Sequence, residues 1–335
     1  LVGSLFFAAW IIFTRRSYAF PKGGEAVARL RGAAALLFPV FFGAALLFFP
    51  DVSAAAAREG VTLCLQTVLP SLFPFFVLSS LLVQSDVPRL LSRAMAGVMY
   101  PLFGVSGAGA SALILGLLGG YPVGARTVAE LYGRGEIARE EAEQLLAFCN
   151  NSGPGFFLGV CGTAVFGSAR AGAYLYLIHV GAALMTGVLL RRDLGLPRRK
   201  AVSRQRAPFD LAAALPAAVQ SSFAAVGSVS AFVIFFMVLL RLLSLVPALA
   251  ALPPLPRAAL FGFMEMTNGV NALPATRAGF VLCAAIMNWG GLSVQAQTRA
   301  LLAGSALSAR RCMIGKAVQA LAGVPLALLA AQRLF

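Results

Sequence analysis

The chain has 335 residues, of which 59% are hydrophobic and only 12% charged, about half the charged share of an ordinary soluble domain. Its net charge of +15 would fit nucleic acid if the basic residues lined a soluble face among aromatics, but they cluster between apolar runs, so nucleic acid is excluded as a partner and a lipid bilayer is implied. Apolar runs of about 20 residues recur without the period-2 alternation of a barrel, which predicts an all-α polytopic membrane protein.

In chain order, residues 1–13 read as part of a first span, followed by Arg15, Arg16, Lys22, Arg29 and Arg31, and do not resemble a cleaved signal peptide. A second span, 33–49, ends at Pro50. The loop after it, holding Asp51, Arg58 and Glu59, has no excess of positive charge and is expected outside. Residues 61–83 predict a third span, bent at Pro70 and Pro74, that returns to a cytoplasmic side marked by Arg89 and Arg93. The glycine-crowded stretch 94–120 suits close helix packing and ends in GGYPVG, where Gly119, Gly120, Tyr121 and Pro122 break the helix.

An amphipathic helix is expected over 136–148. Its acidic start, Glu136, Glu140, Glu141 and Glu143, reads as a solvated helix face that complements the positive N-terminal dipole. It runs into Asn150, Asn151, Ser152, Gly153 and Pro154, a strong breaker, before an apolar piece at 156–166 and a full span at 174–190. His179, in mid-span, reads as a packed, hydrogen-bonded residue, with a proton relay as the alternative. Arg191, Arg192, Arg198, Arg199, Lys200, Arg204 and Arg206 make 191–210 a basic linker, expected in the cytoplasm and attractive to anionic headgroups. Beyond it, 211–246 is a long span. A short helix at 258–266 is stopped by Thr267, Asn268 and Gly269, another at 280–287 by Asn288, Trp289, Gly290 and Gly291, and a final helix covers 312–331.

The halves can be superposed: residues 146–153 match 284–291 in character at a constant offset, each an apolar half-helix ending in Asn and then Gly. Upstream, GGYPVG in one half and EMTNGV in the other each interrupt apolar helix. Loop signals inside membrane-length segments imply broken or re-entrant helices. The expected organisation is N-terminal helices at 1–60, a first repeat at 61–190, the linker at 191–210 and a second repeat at 211–335. The basic clusters make the repeats antiparallel, although Arg241, Arg277 and Arg299 depart from the pattern.

Glu265 is the one acid in the 125 residues after Asp210 and lies at a helix break, so it is a candidate binding residue beside Thr267 and Asn268; the competing reading is an interfacial pair with Arg257 or Arg277. Asn150, Asn151, Ser152 and Asn288 offer amides and a hydroxyl beside freed backbone, either to a polar solute or as half-helix caps. Cys64, Cys149, Cys161, Cys283 and Cys312 are scattered through apolar segments and show no metal-ligand spacing, so no metal or cofactor is expected. No nucleophile-base pair or catalytic motif argues for an enzyme.

GGYPVGARTVAELYGRGEI followed by EEAEQLLAFCNNSGPGFFLG resembles the nucleoside-recognition (Gate) family, in the arrangement of the YlbJ-type sporulation integral membrane proteins of endospore-forming bacteria. The similarity runs from about residue 61 to the C-terminus; EMTNG resembles the Glu-containing break of Gate domains, and Trp289 stands in place of a second Asn. The resemblance implies a multi-pass protein of the bacterial cell membrane with paired Gate modules, distantly related in design to concentrative nucleoside transporters, and a role in spore formation at the cortex stage. It puts at stake Gly119, Gly120, Tyr121, Pro122, Asn150, Asn151, Ser152, Gly153, Pro154, Glu265, Thr267, Asn268 and Gly269. Two functions are open: a transporter-like protein handling a small polar solute or nucleoside between inverted repeats, and a non-transporting scaffold required for cortex formation. A polar centre reaching Asn150, Glu265 and Asn288 would favour the first.

Overall fold

The computed structural model describes residues 25–194 and 209–335. The expected first span and most of the basic linker, including Arg198, Arg199, Lys200, Arg204 and Arg206, lie outside the described residues. Within them every regular element is helical.

Helix α1, Glu25–Phe48, is followed without a loop by α2, Pro50–Leu63. Asp51, Arg58 and Glu59, expected in a loop, are therefore helical: Pro50 presets the first turn and the alanines at 54–57 propagate it. A π turn, Cys64–Val68, carries the chain into α3, Leu69–Gln84. Pro70 has no N–H to offer the preceding turn, and the wider turn takes up that missing bond. Helices α4, Val87–Phe103, and α5, Ala110–Gly119, meet at 101° through a short turn at Gly107–Gly109.

Two short helices follow, α6 at Val123–Gly133 and α7 at Arg139–Leu146, then a π-helical segment, Phe156–Val165, and α8, Ala169–Leu189. After the linker come α9, Leu211–Leu243, capped by Asp210, and a single turn at Pro247–Ala250. The chain closes with α10, Pro254–Met264; α11, Met266–Asn271; α12, Arg277–Trp289; α13, Gly291–Leu301; and α14, Arg310–Leu334. Neither α6 nor α13 is evident as a helix in the apolar pattern, because both carry buried polar residues, Arg126 and Thr127 in one, Ser293, Gln295, Gln297 and Thr298 in the other.

Among the described residues four helical segments, α12 and α13 counting as one, can cross a membrane by length and composition, and up to six if each sharply bent pair is one span. Their outer faces expose Leu47, Phe48, Leu177, Phe223 and Leu321, the surface that acyl chains would cover. Helix α9 lies along α2 and α3, while α14 lies along α12 and α8, so the C-terminal helix touches both halves of the chain.

Two expectations are corrected. The acidic start of α7 is solvated only in part: Glu140 is exposed, but Glu141 is buried and accepts from the Ser106 backbone N–H at 2.7 Å, and Glu143 accepts from the Ser308 N–H at 3.1 Å. Both pin the loops that flank α7. Burial holds the Glu141 carboxyl above its usual range, and the Ser106 bond offsets part of that rise. In the second half the break falls at Glu265, not at Thr267, Asn268 and Gly269, which lie inside α11. There Gly269 serves close packing, since a Cβ on it would lie 2.1 Å from the Gly262 Cα.

Candidate functional site

The centre is assembled by the end of α7. Its last turn is wedged between the α5–α6 bend and α14: a Cβ on Gly116 or on Gly124 would meet the Cys149 carbonyl at 1.9 Å, and one on Gly315 would meet the Ala147 carbonyl at 1.9 Å. Glycine at these three points lets the helix end reach the interior. Asn150, Asn151 and Ser152 cannot continue a helix comfortably, and Pro154 starts the next one, so the three side chains are presented as a tip. Asn150 and Asn151 have no exposure and Ser152 almost none.

A second tip comes from the end of α12. The Asn288 Nδ2 donates to the Ala284 carbonyl at 2.8 Å, and Gly290 ends the helix in the left-handed region at φ 80°. Helix α14 joins the two tips. Its Gln319 Nε2 donates to the Asn151 Oδ1 at 3.1 Å and to the Asn288 Oδ1 at 3.0 Å. One turn earlier, the Lys316 Nζ donates to the Gln319 Oε1 at 2.6 Å and to the Asn151 Oδ1 at 3.2 Å, and lies 5.1 Å from the centre of the Tyr121 ring.

The break at residues 119–122 supplies a third tip. The Tyr121 hydroxyl donates to the Met287 carbonyl at 3.3 Å, and a Cβ on Gly120 would lie 3.2 Å from the Gly153 nitrogen. From α8, the His179 Nε2 accepts from the Ser152 backbone N–H at 3.1 Å, which leaves the proton of the neutral ring on Nδ1. The Asn150 Nδ2 donates to the Thr298 Oγ1 at 3.0 Å, while its buried Oδ1 has no hydrogen-bond partner among the described residues. The network sits between two apolar clusters, one containing Phe148 and Cys149, the other Phe157 and Met287.

Of the sequence candidates, Asn150, Asn151, Ser152 and Asn288 are thus brought into one place, with Gly119, Gly120, Tyr121, Pro122, Gly153, Gly290 and Gly291 forming the tips around them. Glu265 and its neighbours stand apart. The carboxylate caps α11, accepting from the Thr267 N–H at 3.0 Å and from the Asn268 N–H and Nδ2 at 2.8 Å each. It is buried, and a Cβ on Gly291 would lie 3.1 Å from its Cα, but its hydrogen bonds are local and no ion pair with Arg257 or Arg277 accompanies them.

Sequence reasoning passed over Lys316 and Gln319, although a Lys and a Gln three apart in an apolar window mark one polar helix face. It also passed over a second correspondence. GGYPVGART at 119–127 and GGLSVQAQT at 290–298 align residue by residue, and each is a helix end, a glycine near φ 80° and a short buried helix carrying a Thr.

A family profile described as nucleoside recognition (Gate) matches residues 65–239, just over half of the chain. The sporulation integral membrane protein YlbJ of Bacillus subtilis (strain 168) is 28% identical over 319 aligned residues, covering 84% of this chain and 78% of that protein. No solved structure matches. The apolar spans, the bent helix pairs and these two matches agree: the chain is a bacterial multi-pass membrane protein that belongs to the nucleoside-recognition (Gate) family.

Proposed function

We propose that the protein acts in sporulation as a transporter-like membrane protein, handling a small polar solute at a central site between two inverted repeats. One observation carries this reading: three broken-helix tips and two spanning helices turn amide, hydroxyl, imidazole and ammonium groups toward one another in the interior of a membrane protein. Polar groups buried at membrane depth are costly, and such breaks persist where they are buried in protein or line a binding cavity.

On this reading Asn150, Asn151, Ser152 and Asn288 contact the solute, and the repeats are the units 61–190 and 211–335 joined by a cytoplasmic linker. Glu265, Thr267 and Asn268 act one step away, by holding α11 behind the second tip. The description of the family makes nucleosides the first solutes to try, and the name of the Bacillus relative supplies the sporulation context. Asn151, His179 and Lys316 have no exposure, so solute enters when a tip moves, as alternating access requires.

The complete burial of the centre is also what a scaffold would show, and transport separates the two. Purified protein is screened by thermal shift against nucleosides and amino acids, where a ligand at 100 times its Kd adds about 2.7 kcal/mol of stability. Hits are then followed into proteoliposomes. Saturable uptake that Asn151→Ala and Asn288→Ala abolish is expected. Sporulation defects in cells without any solute response in vitro would favour the scaffold.

A further inference from the structure

Lys316 has no exposure, lies two turns inside a membrane-length helix and has neutral partners only: the Asn151 Oδ1, the Gln319 Oε1 and the face of Tyr121. Six of the described carboxylates have partners elsewhere. Glu130 pairs with Arg126, Glu143 with Arg139, Glu59 with Arg241 and Asp86 with Arg89, while Glu141 and Glu265 accept backbone N–H groups. Among the described residues no acid forms an ion pair with Lys316.

The hydrogen-bonding surroundings suit an ammonium. The hydrogen-bond and ring partners of Nζ are two oxygen acceptors and an aromatic face, and the thiols of Cys149 and Cys312 lie within electrostatic reach. The Asn151 Oδ1 already takes two donors, from Lys316 and Gln319, so the amide network cannot absorb more of the charge. One ammonium N–H remains uncommitted to a hydrogen bond. A buried ammonium without a counter-charge is strongly disfavoured in a medium of low dielectric.

We infer that the solute taken at this site carries a negative group, a carboxylate or a phosphate, which completes the network by docking against Lys316. This rests on the solute-site reading above and narrows it. The neutral part of the solute would meet the amides of Asn150, whose Oδ1 awaits a donor, and Asn288. Gln319 would orient Lys316 through its 2.6 Å bond and hold the two tips around the anion.

The test uses paired probes that differ in the negative group: uridine against uridine 5′-monophosphate, and nicotinamide against nicotinate, with inorganic phosphate as a third anion. Each is titrated by thermal shift into the full chain in detergent at constant ionic strength. The expected result is stabilisation by at least one anionic probe, with its neutral counterpart at least about tenfold weaker. The nicotinate and phosphate arms tell carboxylate from phosphate. Lys316→Met should lose the anion response. Gln319→Glu, which sets an internal carboxylate beside Lys316, should fold as a neutralised protein and lose it as well. A neutral probe that binds as tightly as its anion, or Lys316→Met binding the anion as the unsubstituted protein does, overturns the inference and leaves the solute site standing. Stabilisation by no probe of either charge removes the solute site and the inference together.

Discussion

Replacing Gln319 by Leu tests whether the buried centre is a working hydrogen-bond network. The substitution keeps most of the volume and deletes both ends of the amide. The Asn288 Oδ1 loses a donor at 3.0 Å, the Asn151 Oδ1 keeps only Lys316, and Lys316 loses its shortest acceptor. A buried group left unsatisfied costs about 1–3 kcal/mol and a bond to a charged group contributes about 1.5–3 kcal/mol, while the added apolar contact returns about 1 kcal/mol. The net expectation is a loss of about 1.5–5 kcal/mol, read as a lower thermal midpoint of the purified protein. Thr186→Val is the control: its hydroxyl is equally buried but bonds only the Ala182 carbonyl of its own helix, so its loss should cost under about 1 kcal/mol. The double variant Lys316→Met/Gln319→Leu should recover part of the loss, because removing a charge together with its partner is less costly than stranding it. If Gln319→Leu melts no lower than Thr186→Val, the network as described does not form.

Four further outcomes are expected. Gly124→Ala should destabilise by about 1–3 kcal/mol, since its Cβ would enter the Cys149 carbonyl, whereas Gly227→Ala, with open space around it, should be neutral or slightly stabilising in the same melt. Glu265→Gln should cost about 0.5–2 kcal/mol, because one amide oxygen must replace a carboxylate that serves three N–H groups; a melt unchanged from the parent protein would remove the cap. The raised carboxyl of Glu141 means the folded chain keeps that proton to higher pH than the unfolded chain does. Its stabilising contribution is therefore fully present below the ordinary carboxylate range and is lost as pH rises from that range through the raised folded value; Glu141→Gln should flatten that part of the stability profile, and an unchanged slope would contradict the burial. Cysteines at Ala54, exposed on α2, and at Ser203 in the linker should label from opposite sides of the membrane in a background without native cysteines; equal labelling would end the antiparallel arrangement.

The membrane character and the breaks were legible because they rest on local chemistry. Apolar runs of bilayer length demand helices, and Gly119, Gly120, Pro154 and Gly290 interrupt them wherever they fall. The acidic start of α7 was misread in part, at Glu141, because charge density does not tell whether a face is covered, and Glu141 is buried by loops far away in the chain. The break expected at Thr267 moved to Glu265 because a carboxylate one step ahead of a helix satisfies its free N–H groups better than Asn268 or Gly269 can. Lys316 and Gln319 escaped notice for a related reason: α14 is apolar enough to read as an ordinary span, and their role appears only once two distant tips are folded against that face. The glycines that permit it, Gly116, Gly124 and Gly315, are indistinguishable in sequence from those that face open space.

The apposition of the two halves can be tested by bridging Asn150 to Thr298, whose side chains are 3.0 Å apart across 148 residues of chain. In a background lacking Cys64, Cys149, Cys161, Cys283 and Cys312, the variant Asn150→Cys/Thr298→Cys should be bridged by mercuric ion, seen as protection of both thiols from later alkylation. The same-half pair Ser79→Cys/Thr127→Cys, from hydroxyls 3.1 Å apart, is the positive control. Bridging of both pairs in native membranes is the result that a shared centre predicts; bridging of the control pair alone would place the tips apart and contradict it.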